Sequence, residues 1–423
     1  MNGSKKSHVG KSLCFPIIGT LLVLFFQGLE NASAAEAGDI FPRGKVLPFL
    51  GYSGEPARDL TNGFTVAGPV YGNQQPYLQK CFSNGWPVVA HVGPHITFND
   101  KSPDKYKLNE ATLRAEVERQ MRELAPHQEI VWWAITPEEL RTWRKDEMKY
   151  FEIVCDVVRK NDPLHRPLYL YNPNHRDAKS LEPIAKQVDV LAKGCYVNSS
   201  GKKRDRAWVR WSVEQELAAL AAAGRPGAFA LVMPELCKDP EPAEDAEIRA
   251  WVRHDVYLGL ASGAKGVFIW SLFKRKEVKH SWQLWYDAYA ECARELNGPR
   301  GLAQIFLFGK RCHEIKVELL KGGGAVAVQL GGNAEPTTTT EQERATREVK
   351  MASWTSAEYQ HDGARWFFLI NSANAPAAFQ LSRLPSNGRC LNAFDDAPLA
   401  LDHNTLTLPA YGVVALKFAG ETK

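Results

Sequence analysis

Eight short apolar runs, rich in β-branched and aromatic residues, follow one another between residues 46 and 273. They are VLPFLGY (46–52), FTVAGPVY (64–71), PVVAHVG (87–93), EIVWWAI (129–135), PLYLY (167–171), VDVLAKGCYV (188–197), AFALVM (228–233) and GVFIWSLF (266–273). Between the later runs lie ATLRAEVERQMREL, EELRTWRKDEMKYFEIVCDVVRK, SVEQELAALAAAG and AEIRAWVRHDVYLGLASG, each pairing an apolar stripe with a charged face. Gly224 and Gly263 are placed as helix stop signals. Eight strand-helix units fit a (β/α)8 barrel better than an open doubly wound sheet, although the first two units carry weak helices.

After Leu302 the pattern changes. AQIFLFG, EIKVELL, AVAVQLG, VKMASWTSAEYQ, ARWFFLINSA, AAFQLSRL and LTLPAYGVVALKFAG are separated by turn clusters and predict an appended antiparallel β-sandwich. The polar stretch 336–348 is expected as an exposed loop between strands. The expected division is a leader at 1–34, a barrel at 35–301 and a sandwich at 302–423.

The leader has Lys5, Lys6 and Lys11 before the apolar run 13–26, then Ala32-Ser33-Ala34, a small-x-small cleavage pattern. That run is shorter than the ~20 apolar residues needed to span a bilayer, so export with cleavage after Ala34 is expected rather than stable membrane insertion. The mature protein is then secreted or periplasmic. Cys14 lies inside the apolar run and not beside the cleavage site. Seven scattered cysteines remain without CxxC spacing, which predicts buried free thiols and no zinc ribbon. Lys+Arg 52 against Asp+Glu 48, with no long basic block, gives no footprint for nucleic acid. No Gly-rich phosphate loop follows a strand, so no nucleotide or redox cofactor is implied.

Chemistry in a (β/α)8 barrel sits at the carboxyl ends of the strands. Those ends offer Tyr52, Tyr71, His91, His95, Glu138, Glu139, Asn172, Asn174, Tyr196, Glu235 and Trp270. In ALVMPELCKDP (230–240) two further prolines delay the next helix, leaving Glu235 at a strand-loop junction. In ITPEELRTW, Thr136 and Pro137 look like the start of a helix with Glu139 at the capping-box position, which leaves Glu138 free. Paired carboxylates across a pocket are the equipment of glycoside hydrolysis: one protonates the departing oxygen, while the other attacks the anomeric carbon or activates water. Tryptophans concentrate in the barrel half, and flat rings cover the apolar faces of sugars.

These residues resemble clan A of the retaining (β/α)8 glycoside hydrolases. GAKGVFIWS (263–271) is similar to the last-strand segment of such enzymes, which implies that Trp270 floors a sugar subsite. The resemblance further implies Glu235 as nucleophile, Glu138 as acid/base, Tyr196 as a contact of the nucleophile and His91 as a subsite histidine. Pro137 stands where the clan usually has asparagine, so Asn172 or Asn174 is the substitute donor to the sugar. The implied partner is a carbohydrate substrate.

Two other readings are open at this stage. One is a catalytically inactive carbohydrate-binding barrel. The other is a metal-dependent hydrolase built on His91 and His95, although a metal site needs three or four ligands and no further His/Asp cluster completes the set. His254-Asp255 is expected to be a structural pair on the helix before the last strand. Lys274 and Arg275, in the charged loop 273–280, favour an acidic or sulfated glycan if that loop lines the site.

Overall fold

A computed structural model describes residues 35–98, 102–103, 105–137, 140–199, 205–330, 340–385 and 389–419. The expected leader and both Glu138 and Glu139 lie outside the described residues. The barrel strands are β1 (Phe49–Gly51), β2 (Val88–Val92), β3 (Ile130–Ile135), β4 (Leu168–Asn172), β5 (Val190–Gly194), β6 (Phe229–Met233) and β7 (Val267–Ile269). All are parallel, in the order β1-β7-β6-β5-β4-β3-β2. Every residue of these strands is buried, because helices cover one face and the barrel interior the other.

The gap between β1 and β2 is closed by the segment around residues 64–68. Thr65 N–H donates to the Phe49 carbonyl at 3.0 Å, and Val89 N–H to the Ala67 carbonyl at 3.0 Å. The strand expected at 64–71 is thereby reduced to a single parallel bridge between Ala67 and Val88. Gly68 takes a left-handed φ of 65° and Pro69 has no N–H, so the ladder stops there.

The helices up to residue 308 are α1 (Pro56–Thr61), α2 (Gln75–Ser83), α3 (Glu110–Leu124), α4 (Lys145–Asn161), α5 (Ala178–Ala185), α6 (Trp208–Ala222), α7 (Ile248–Ser262), α8 (Trp282–Leu296) and α9 (Leu302–Phe308), and a single turn, α10 (Glu341–Arg344), follows later. Gly263 caps α7 at φ 118°, as its position predicts. Two expectations fail. The run AQIFLFG is not a strand but α9, which buries Phe306 against Phe368 at 4.6 Å between ring centroids. A seven-residue run with one polar position, Gln304, is too short for periodicity to separate helix from strand. The helix expected at Thr136-Pro137 starts only at Lys145; the Thr136 hydroxyl donates instead to the Val92 carbonyl at 3.2 Å.

The remaining chain forms a five-stranded antiparallel sheet and a three-stranded sheet. The first contains β8 (Lys310–Cys312), β12 (Trp354–His361), β13 (Ala364–Asn371), β15 (Arg389–Asn392) and β17 (Val413–Ala419). The second contains β9 (Lys316–Lys321), β14 (Ala377–Ser382) and β16 (Thr405–Leu408). A separate ribbon pairs β10 (Ala325–Leu330) with β11 (Arg347–Ala352). Alternation along β13 explains the layering: Phe367 and Leu369 join the core between the sheets, while Phe368 and Ile370 join the cluster that contains barrel helices.

His254 and Asp255 sit buried on α7, as expected of a structural pair. Asp255 Oδ2 takes a bond from Arg206 Nη1 at 2.6 Å, and its Oδ1 meets His254 Nδ1 at 2.8 Å. His254 Nε2 meets the Ser372 hydroxyl, just after β13, at 2.9 Å. Burial lowers the His254 pKa, so the neutral ring donates from Nδ1 and accepts at Nε2. This chain of contacts ties the barrel to the sandwich.

Candidate active site

The phase of each barrel strand decides what reaches the mouth. Phe229, Leu231 and Met233 of β6 belong to the inner cluster, whereas Ala230, Val232 and Leu236 pack outward with the helices. Glu235 is in phase with Met233, so its carboxylate turns to the barrel interior at the carboxyl end of the strand. The β6-β7 pairing continues past it: Trp270 N–H donates to the Pro234 carbonyl and Leu236 N–H to the Trp270 carbonyl, each at 2.9 Å.

Glu235 is only 4% exposed. Its Oε1 accepts from the Asn198 backbone N–H, and its Oε2 from that of Ser199 at 2.7 Å. The Cys237 thiol stands 3.6 Å from Oε2, and the Tyr289 hydroxyl donates to the Glu235 carbonyl at 2.8 Å. Burial pushes the Glu235 carboxyl up to about 7, against the two backbone donors and the Arg206 charge that favour its ionised form.

Around it stands a group of aromatic residues. Trp270 is half-buried, its Nε1 donating to the Tyr71 hydroxyl at 2.7 Å, with the Tyr196 ring stacked 5.0 Å away. The Arg275 guanidinium lies 4.3 Å from the Trp270 ring centroid, whereas Lys274 lies over Trp282 at 5.8 Å. Of the two cations expected at the mouth, Arg275 is the one placed on Trp270. Tyr196 lies over Gly194, where a side chain would overlap its ring, and its hydroxyl donates to that of Tyr171 at 3.0 Å. The Glu235 oxygens are thus held by backbone donors, where the resemblance implied a tyrosine.

The other expected site residues divide by strand phase. His91 is in phase with Val89 of the inner cluster and is buried; its Nδ1 has no hydrogen-bond partner among the described residues. Burial, then the neighbouring His95, lowers its pKa to about 4, so it is neutral near pH 7. His95 is exposed, with Nε2 3.3 Å from the Gly72 carbonyl. No group of three or more His, Cys, Asp or Glu able to hold a metal occurs among the described residues. Asn172 is in phase with Leu168 and Leu170, which pack outward, and its amide is occupied: Nδ2 donates to the Leu170 carbonyl and Oδ1 accepts from Arg176 at 3.1 Å. It cannot serve as the donor to a sugar. Asn174 is half-buried in the loop after β4. Tyr52 is fully buried, packed between Tyr71 at 5.1 Å and Phe268 at 4.7 Å, with its hydroxyl 3.3 Å from that of Tyr169. It supports the floor instead of lining an open subsite.

Sequence reasoning missed Asn198. It is 7% exposed, and both side-chain amide atoms lack a hydrogen-bond partner among the described residues. Its backbone N–H already touches Glu235, which fixes it beside the carboxylate. The available signal was its place two residues after Tyr196 at a strand end.

No family model and no curated protein matches the chain. Solved structures similar to it include a β-glucuronidase from an uncultured Clostridium sp., at 15% identity and TM-score 0.43, covering 60% of this chain and 51% of that one. A β-L-arabinopyranosidase from Geobacillus stearothermophilus, bound to arabinose, matches at 9% identity and TM-score 0.47, covering 89% and 98%. A maltogenic α-amylase from Thermotoga neapolitana matches at 11% identity and TM-score 0.45, covering 89% and 99%. The chain therefore spans about half of the first of these and nearly all of the other two.

Proposed function

We propose that this protein is an exported glycoside hydrolase in which Glu235 attacks the anomeric carbon and Glu138, three residues past β3 in sequence, protonates the leaving oxygen. The observation that carries this reading is the Glu235 carboxylate, held at a barrel strand end by two backbone N–H donors among aromatic rings. A nucleophile must be ionised and must point in one direction. The donors from Asn198 and Ser199 do both, binding the charged form and leaving the carboxylate little rotational freedom. The leader-like segment 1–34 supports export.

The pKa of about 7 gives the role of Glu235 a direct test. As nucleophile it works only when ionised, so kcat/KM rises with pH through about 7. If Glu235 were instead the proton donor, activity would fall through that range. The pH-rate profile on an aryl glycoside, whose leaving group needs little protonation, isolates this ionisation.

Asn198 is assigned to the substrate. Its amide, unpartnered among the described residues, offers two donors and an acceptor to sugar hydroxyls beside the reacting carbon. Asn198→Ala is expected to lower kcat/KM by about 10- to 100-fold, the scale of one to two lost hydrogen bonds, without a matching loss of stability. Unchanged kinetics in a folded variant would remove it from the site.

A further inference from the structure

Arg275 differs from other arginines packed into the barrel. Arg166 meets Asp162 at 2.7 Å, Arg206 meets Asp255 at 2.6 Å and Arg253 meets Glu295 at 2.8 Å, so each has a counter-charge. Among the described residues the Arg275 side chain has two contacts and neither is an acid. Nη2 donates to the Ser271 hydroxyl at a long 3.3 Å, and the guanidinium carbon lies 4.3 Å from the Trp270 ring centroid. Nε is enclosed by protein, but Nη1 is open to solvent and makes no hydrogen bond among the described residues.

The position of this open donor is tied to Glu235 in two ways. Trp270, under the guanidinium, pairs with Glu235 in the parallel bridge that extends β6 and β7. The Cys237 thiol, 3.6 Å from Glu235 Oε2, is pushed up by burial and then by the Glu235 charge, and Arg275 is close enough to oppose them. A cation-π contact orients a guanidinium without neutralising it. The loop around Arg275 does not neutralise it either: residues 273–280 hold Lys274, Arg275, Lys276 and Lys279 against Glu277, four positive charges to one negative. Asp239, on the loop after β6, is occupied by the Lys279 and Ser281 backbone N–H groups, at 2.6 and 3.0 Å. A field of one sign at the mouth of a site gathers ligands of the other.

We infer that the glycan taken by this site is anionic, and that a carboxylate or sulfate ester on the sugar beside Glu235 accepts a hydrogen bond from Arg275 Nη1. The inference rests on the barrel mouth being a glycosidase site and adds which sugars enter it. The two charges of the site then orient the sugar. An anionic substituent turned toward the ionised Glu235 is repelled, and the same substituent turned toward Arg275 gains a charge-assisted bond, which leaves the anomeric carbon to the carboxylate.

The test is calorimetric titration of the full chain with pairs of methyl glycosides that differ in charge at C6: glucuronide against glucoside, galacturonide against galactoside, and glucoside 6-sulfate against glucoside. The expected result is binding at least about tenfold tighter for the anionic member of at least one pair, the scale of one hydrogen bond to a charged group. The pair that shows it separates carboxylate from sulfate. Arg275→Gln brings the ratio close to one, and Arg275→Lys keeps part of it. Each ratio is taken within one protein, so a loss of folded material does not alter it. On the unaltered chain, raising NaCl from about 0.05 to about 0.5 M narrows the ratio, because screening shortens the reach of the charges. Equal affinities in every pair, no binding by any anionic member, or a preference that survives Arg275→Gln overturns the inference. Binding is read without turnover, so the two readings fail separately. A charge preference without any glycosyl transfer to Glu235 removes the catalytic assignment, whereas hydrolysis of neutral aryl glycosides with equal affinities in every pair removes the preference.

Discussion

Replacing Glu235 with glutamine is expected to lower kcat/KM on an aryl glycoside by at least about 10³-fold while the chain stays folded. Glutamine keeps the shape of the side chain but cannot form a glycosyl ester, so covalent catalysis ends. The same substitution has a signature that needs no substrate. Burial raises the Glu235 carboxyl from its ordinary 4.5 to about 7, so the unfolded chain ionises before the folded one. Stability contributed by the protonated group is complete below about 4.5 and is lost as pH rises to about 7, by a total of about 3 kcal/mol. The glutamine variant has no such ionisation. Its stability relative to the parent should therefore increase across that window and level off above it. Urea unfolding of both proteins at pH 4 and pH 8 measures the difference, and an unchanged difference would mean that Glu235 is not the buried carboxyl described here.

The second large effect is on stability. The Arg206 side chain is fully buried, bound to Asp255 at 2.6 Å, with its guanidinium 4.5 Å from the Trp251 ring centroid. Asp255→Asn leaves that guanidinium in the interior without its counter-charge, and the expected loss is about 3–5 kcal/mol. The double replacement Arg206→Met with Asp255→Leu removes both charges and should cost much less than the sum of the single changes. Chemical unfolding of the four proteins closes the cycle. Because His254 carries the chain of contacts to Ser372, the single variant should also loosen the sandwich from the barrel, seen as earlier proteolysis between residues 340 and 385.

The barrel was legible because parallel strands buried on both faces leave continuous apolar runs, and most runs were separated by amphipathic helices. The second run misled because Gly68 and Pro69 interrupt pairing without interrupting its apolar character. Leu302–Phe308 misled for another reason: at seven residues, with Gln304 as its one polar position, the segment is too short for its period to separate helix from strand. At the site, Glu235 was legible from the place where the run ended. Asn172 shared that position but not the phase, and the alternation of Tyr169 and Tyr171 inward against Leu168 and Leu170 outward decides the matter. The donors to Glu235 left no trace in the sequence, because backbone N–H groups carry no residue type. Thr136-Pro137 has the composition of a helix start, but the hydroxyl is drawn to Val92 and the helix begins nine residues later.

The central claim is that Glu235 forms a covalent bond to sugar. Incubation with activated 2-deoxy-2-fluoro glycosides of gluco, galacto, manno and glucurono configuration, followed by peptide mass spectrometry, tests it most directly. The fluorine slows both formation and breakdown of the glycosyl-enzyme, and the activated leaving group restores the rate of formation alone, so the adduct accumulates. The account predicts a glycosyl adduct on the peptide containing Glu235, absent from Glu235→Gln. An adduct on a different carboxylate, or rapid turnover of aryl glycosides by the glutamine variant, would contradict it.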